Sequence, residues 1–298
     1  MKVLVTGGTG FVGPAVANAI ADAGHAVRVL ERKSGAWREA GILCQEAVQG
    51  DVTDADSLRR AAAGMDVVVH LVAIRQGKPE EFRRVMIEGT RNLIGAAKEA
   101  GVRRFVMISA LGVTEQTKDL VPYYNAKWSM EQDVKASGLE HVIFRPSFVF
   151  GRDGGILPTF LKLAKLSPFT AIMGSGEQRI QPIWRDDVGA YFAQAIESPE
   201  AVNRTFELGG PDVVSWNDLW RRIRALQGIR RRPMIHLPIG LMRIPATLTE
   251  RLPGNIPLTR DLLTMLETGD SVATNDDAVR AFRVPLVPLD EQLLRAVG

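Results

Sequence analysis

A single cysteine, Cys44, in 298 residues excludes an intrachain disulfide, and four histidines with no Cys/His cluster at ligand spacing give no signature of a metal site. Neither sign of charge dominates. The 37 Lys and Arg stand against 34 Asp and Glu, a formal net charge of +3. Such a surplus makes no continuous basic stripe, so nucleic acid is not an expected partner. Long apolar runs are scarce as well. The one charge-free stretch resembling a span or leader, Val3 to Ala21, is broken by Gly7, Gly8, Gly10, Gly13 and Pro14, a pattern of strand, tight turn and helix. No integral membrane segment is expected, and a lone thiol suits the reducing cytoplasm. What remains is globular material, 46% hydrophobic and 24% charged, enough for a sizeable core and about two domains.

Apolar strands alternate with helices through the first half. Lys2–Thr6, Ala26–Leu30, Ala47–Val48, Asp66–Val72, Arg104–Ser109 and His141–Arg145 have the composition of buried strands. Between them, helical spacing predicts helices ending at Gly24, over Ala55–Ala63, from Gly89 to Ala100 and from Pro122 to Ala136. This alternation predicts an α/β chain, a doubly wound parallel sheet covered on both faces. After Pro146, prolines and glycines become dense, and Val214–Gly228 and Leu258–Leu266 read as helices of a smaller lobe. The expected division is residues 1–150 for nucleotide binding and 151–298 for a substrate lobe. Within the latter about 183–212, with a strand at Thr205–Leu208, pack back on the sheet.

Thr6-Gly7-Gly8-Thr9-Gly10-Phe11-Val12-Gly13 lies between the first strand and the first helix. Glycines at this spacing permit a tight turn, let backbone approach a pyrophosphate, and let helix and strand pack closely. The helix start then offers free N–H groups to phosphates. Glu31, 18 residues beyond Gly13 at the second strand's end, is placed to bond an adenosine ribose and favours NAD(H). Arg32 and Lys33 follow at once and suit the 2′-phosphate of NADP(H). Asp51 and Val52, after the third strand, are expected near the adenine edge.

Tyr123 and Lys127, i and i+4 on one helix, share a face. A tyrosine working as acid or base near neutrality needs its pKa lowered by about three units, roughly 4 kcal/mol, which one cation about 4 Å away supplies at an effective dielectric of about 20. Tyr124 has Trp128 as its i+4 neighbour and lacks that partner.

The Thr6–Gly13 turn with Tyr123-x-x-x-Lys127 resembles the short-chain dehydrogenase/reductase superfamily. Val142–Ser147, Gln181-Pro182-Ile183, Asp186-Asp187-Val188 and Phe206–Pro211 are similar to its extended and atypical branches, which hold nucleotide-sugar epimerases and dehydratases and hydroxysteroid dehydrogenases. Pro257–Asp261 resembles the atypical subgroup of the NAD(P)-binding accessory subunit of respiratory complex I. The resemblance implies a Rossmann sheet holding NAD(P). In it Gly7, Thr9, Gly10, Phe11, Val12 and Gly13 seat the pyrophosphate, Leu71, Val72 and Ala73 line the adenine-ribose side, and Pro146 and Ser147 lie against the nicotinamide. Lys127 binds the nicotinamide ribose, Tyr123 exchanges the substrate proton, and Ser109 is the candidate third catalytic residue. Leu111, Met86 and Arg185 depart from the pattern. Two functions follow: hydride transfer at a hydroxyl-bearing carbon of a small molecule, or NAD(P)H binding without turnover in a regulator or assembly subunit. A homodimer or a respiratory-complex association is the expected assembly.

Other residues have structural readings. His70 is expected as a packed core histidine and Cys44 as a small buried hydrophobe. Asp186 and Asp187 lack the further ligands a metal needs. Arg179 and Gln181 are candidates to reach substrate. His236 and Arg230–Arg232, near apolar Ile239–Met242, are candidates to touch a membrane surface or partner.

Overall fold

The computed structural model describes residues 1–229, 232–240 and 259–297. The expectations for Arg230, Arg231, Leu241, Met242, Pro257 and Leu258 fall outside them. Contacts divide the chain into two units: Met1–Pro146 with Arg185–Leu208 and Thr274–Pro285, and Ser147–Trp184 with Gly209–Ala273 and Leu286–Gly298.

The first unit is built on seven parallel strands, β1 Lys2–Thr6, β2 Ala26–Glu31, β3 Glu46–Gln49, β4 Val67–His70, β5 Arg104–Ile108, β6 Glu140–Pro146 and β7 Arg204–Leu208. Their spatial order is β7-β6-β5-β4-β1-β2-β3. The chain runs outward from β1 through β2 to β3, then returns to lay β4 on the other side of β1. That reversal opens the crevice at the carboxyl ends of β1 and β4 where α/β sheets bind ligands. Strands β4 and β5 are buried at every position, which is why Val67–Val69 and Phe105–Ile108 read as unbroken apolar runs.

The first unit's α-helices of four or more residues are α1 Gly13–Asp22, α2 Ala36–Glu39, α3 Ala55–Ala62, α4 Gly89–Glu99, α5 Pro122–Lys135, α6 Arg185–Ala195 and α7 Asp276–Ala281. Pro14 occupies the first turn of α1, where no intrahelical N–H bond is lost, and Gly24 ends the turn beyond it at φ +86°. Asp54 caps α3 by accepting from Asp56 N and Ser57 N. A π-helical stretch, Phe82–Glu88, leads into α4 and was not legible in the sequence. On one face of the sheet Leu4, Val68, Phe105, Met86, Met130 and Ile143 form a core with α3, α4 and α5. On the other, Phe144 meets Phe192 at 4.9 Å and Phe282 at 5.5 Å between ring centroids. Phe282 belongs to Thr274–Pro285, residues assigned from sequence to the smaller lobe. They fold instead with the sheet, because an aromatic face this large needs a lid.

The second unit has its own core of Phe150, Leu157, Phe160, Trp216, Leu219 and Trp220. Three two-stranded ribbons frame it: Ile183–Trp184 with Val149–Phe150, Val214–Ser215 with Arg179–Ile180, and Met234–Leu237 with Thr170–Met173. Ser215 caps the helix Trp216–Leu226 by accepting from Asp218 N. Gln181 and Arg179 both serve this unit's structure. The buried Gln181 amide donates to Gly210 O at 2.7 Å and accepts from Ala273 N at 2.9 Å, while Arg179 pairs with Asp270 at 2.7 Å.

Helices α1 and α6 cross at Gly189, where a Cβ would lie 2.5 Å from the Ala15 carbonyl oxygen. Gly189→Ala gains about 1 kcal/mol of helix propensity, but forcing the helices apart costs roughly 1–3 kcal/mol. The variant is therefore expected to unfold at lower urea than the parent; an equal or higher midpoint would mean that the helices separate freely.

Candidate cofactor and catalytic site

The turn after β1 is held by approaches that only glycine allows. At Gly7, φ is +75° and a Cβ would stand 2.8 Å from Val72 N; at Gly13 it would stand 2.0 Å from Gly8 O. Gly10 N donates back to Gly7 O at 3.0 Å, closing the loop. Helix α1 then begins with no side-chain cap and no acidic residue in its first turn. Its leading N–H groups thus lack an internal partner, an arrangement suited to an anion. Gly7 against Leu71 and Val72 brings two of the sequence-predicted segments together. The turn's cradle and donors fit the diphosphate of a nicotinamide dinucleotide.

The end of β2 differs from the expectation. Glu31 is only 5% exposed, and its carboxylate accepts from Gly35 N at 2.9 Å and Trp37 N at 3.0 Å, tying down the entry to α2. Arg32 and Lys33 instead line an open hollow with Thr9, Ala36, Glu39 and Ala40. Asp51 is held below the usual carboxylate range: burial pushes it up, but the bonds from Thr53 and the charges of Arg32 and Arg84 outweigh burial. Val52 is buried against Gly89, and its carbonyl accepts from Asn92.

Tyr123 and Lys127 lie on one face of α5, the Lys127 ammonium 6.0 Å from the centre of the Tyr123 ring. Lys127 is fully buried and donates to Ile108 O, at the end of β5, at 2.8 Å. The expected lowering of the phenol is not found. Dehydration pushes Tyr123 up to about 12, with Tyr124 adding to the rise and Arg75 opposing it. The same dehydration pulls Lys127 down to about 7, against the attraction of Glu131. The lysine is committed to a carbonyl, and burial dominates both groups.

Ser109 also departs from its expected role. Its hydroxyl donates to Glu131 at 2.6 Å, and Glu131 accepts two further bonds from Arg145, at 2.8 and 2.6 Å. Ser109 therefore supports α5 from beneath. Glu131 and Arg145 were missed by the sequence reading, although Glu131 extends the Tyr123–Lys127 spacing by one more turn. Burial pushes the Glu131 carboxyl up, but its bonds from Arg145 and Ser109 hold it below the ordinary range. Arg75 was missed because nothing in the loop after β4 marks it. Tyr124 is buried and its hydroxyl reaches Leu111 O at 3.4 Å, while Leu111 N donates to Pro146 O at 3.0 Å. Arg185 lies over the Phe11 ring, 5.8 Å from its centre.

His70 is a packed histidine, its ring nitrogens against Thr6 Oγ1 at 2.7 Å and Thr90 Oγ1 at 3.0 Å. Cys44 is half-buried. Among the described residues no cluster of three or more His, Cys, Asp or Glu suits a metal, and no helix is long and apolar enough to cross a membrane.

A family described as NAD(P)H-binding matches residues 7–199. The mitochondrial NADH dehydrogenase (ubiquinone) 1 alpha subcomplex subunit 9 of Rattus norvegicus is 27% identical, over 96% of this chain and 77% of that protein. The ceramide reductase of Caulobacter vibrioides is 30% identical over 79% of this chain and 73% of its own length. The solved UDP-glucose 4-epimerase of Thermotoga maritima, with UDP-glucose, shares the fold at a TM-score of 0.75 and 21% identity, covering 100% of this chain and 97% of that one.

Burial, with the Lys127 charge beside it, pulls His70 down to about 3 from 6.5. Between those values the unfolded chain binds a proton that the folded chain refuses. Folding stability is thus expected to fall by about 1.4 kcal/mol per pH unit from this group as pH drops below 6.5. His70→Gln removes that component, so urea titrations at several pH values should give it a shallower acid slope. Parallel slopes would show that the imidazole titrates normally.

Proposed function

The chain belongs to the NAD(P)H-binding family, in the atypical short-chain dehydrogenase/reductase branch that includes the complex I subunit, and from that premise we propose that it reduces a carbonyl group of a small molecule. The observation that carries this reading is the pairing of Tyr123 and Lys127 on one face of α5. A bound nicotinamide dinucleotide supplies the hydride. The Gly7–Gly13 turn and the α1 N-terminus would hold its diphosphate, Lys127 its nicotinamide ribose, and Pro146 would border the nicotinamide. Tyr123 would pass its phenolic proton to the oxygen of the carbonyl under reduction, a step for which its raised pKa of about 12 must fall toward neutrality. Lys127, buried beside it, offsets the negative charge left on the phenol. The ceramide reductase relative supports the reductive direction by its name.

The finer cofactor assignment moves to NADP(H). Glu31 spends its carboxylate on Gly35 and Trp37, while Arg32 and Lys33 face the hollow beside Thr9. Arg32 there suits a 2′-phosphate, while Lys33 pairs with Glu39 of the same hollow at 3.3 Å.

One observation favours a second reading, binding without turnover. The Ser109 hydroxyl is donated to Glu131 and Leu111 has no hydroxyl, so neither supplies a donor for the substrate oxygen. The rat relative, named as a subunit of a larger dehydrogenase, is consistent with an assembly role of this kind.

Tyr123→Phe is expected to lower carbonyl-dependent NADPH oxidation at least about a hundredfold while leaving NADPH affinity within about threefold. Undiminished turnover in the variant would remove Tyr123 from the chemistry. A parent chain that binds NADPH yet oxidises it with no carbonyl compound would favour the second reading. Arg32→Ala should weaken NADPH binding about tenfold or more and leave NADH nearly unchanged, measured by calorimetry; equal losses for both, or tighter NADH binding by the parent, would return the assignment to NAD(H).

A further inference from the structure

The charges of this nearly neutral chain are segregated. Residues 154–176 and 219–249 contain no aspartate or glutamate, yet together they carry two lysines and seven arginines. Asp153 and Glu177 bracket the first stretch and Asp218 and Glu250 the second. The structure joins the two through the parallel pairing of Thr170–Met173 with Met234–Leu237. Arg232 strengthens the join by donating to the carbonyls of Ala164, Lys165 and Ser167 where the helix Leu157–Leu166 ends.

That helix is apolar on two sides. Leu157, Phe160, Leu161 and Ala164 face the core, whereas Leu163 and Leu166 point to solvent, 48% and 67% exposed, beside exposed Lys162 and Lys165. The chain continues through Phe169, 37% exposed, to Ala171, which pairs in register with Ile235, 39% exposed. Paired residues in adjacent strands share a face, so Ala171 and Ile235 make an exposed apolar pair on the ribbon. Leucines and a phenylalanine set among lysines, with no carboxylate within the segment, match the chemistry of a lipid interface with anionic headgroups. Protein–protein interfaces are, by contrast, depleted of lysine.

We propose that this helix and ribbon form an attachment face for the surface of an anionic lipid bilayer, Leu163, Leu166, Phe169 and Ile235 entering the headgroup layer while Lys162 and Lys165 pair with lipid phosphates. The attachment is peripheral, and it places the second unit at the bilayer surface independently of the cofactor reading.

The test is sedimentation of the full chain with vesicles of phosphatidylcholine mixed with phosphatidylglycerol, and with pure phosphatidylcholine vesicles. Binding to the mixed vesicles that weakens with added salt is expected, with little to the neutral ones. Lys162→Gln with Lys165→Gln should weaken it roughly thirtyfold, since each basic residue near such a surface contributes about 1 kcal/mol. Leu166→Glu should abolish it, and both variants should melt as the parent does because all three side chains are exposed. Failure to sediment with mixed vesicles, equal binding to neutral ones, or undiminished binding by both variants would overturn the proposal. So would parent self-association in ultracentrifugation that Leu166→Glu dissolves, because a second copy of the chain would then be covering the face.

Discussion

The functional half of the molecule depends on backbone running closer to backbone than any side chain permits. Gly13 sits over Gly8 and Gly7 over the start of the segment after β4, so strand, turn and helix form one rigid corner. Everything proposed for the cofactor rests on that corner, since it both aims the free N–H groups of α1 and leaves the space they face. The absence of an acidic residue from the first turn of α1 keeps its positive end unspent.

Helix α5 is organised by a second constraint, a row of ionisable groups one turn apart. Tyr123, Lys127 and Glu131 lie on successive turns of one face, Lys127 and Glu131 both fully buried. Glu131 gathers Ser109, Arg145 and Lys135 around one carboxylate. Buried charge of this kind is tolerated because several donors converge on it. It also explains why Ser109 is unavailable to a substrate: the hydroxyl satisfies a buried anion, a stronger demand than solvent makes.

The alternation of strands and helices was legible in the sequence because each strand is either wholly buried or has a glycine within two residues of one end, and the order of motifs followed from it. β7 was also recognisable, since Thr205–Leu208 has the composition of a strand of the sheet. Hydrogen-bond destinations were opaque. A glutamate at the end of β2 looks the same whether it faces a ribose or the N–H groups of Gly35 and Trp37, and only the path of the following loop decides. The Tyr123–Lys127 spacing was visible, but its electrostatics depend on dehydration, which spacing does not encode. Gln181 and Arg179 looked like substrate ligands because polar residues in a glycine-rich tract attract that reading; their partners, Gly210, Ala273 and Asp270, are remote in the chain.

Phe282 closes the aromatic face of the sheet, yet it is encoded near the end of the chain, after nearly all of the second unit. During synthesis the first six strands leave the ribosome with Phe144 uncovered, and they wait for well over a hundred further residues before their last hydrophobic cover arrives. A nascent sheet in that condition exposes aromatic surface to any other unfinished chain nearby, so its maturation is coupled to the emergence of Phe282 rather than to that of the nucleotide-binding half.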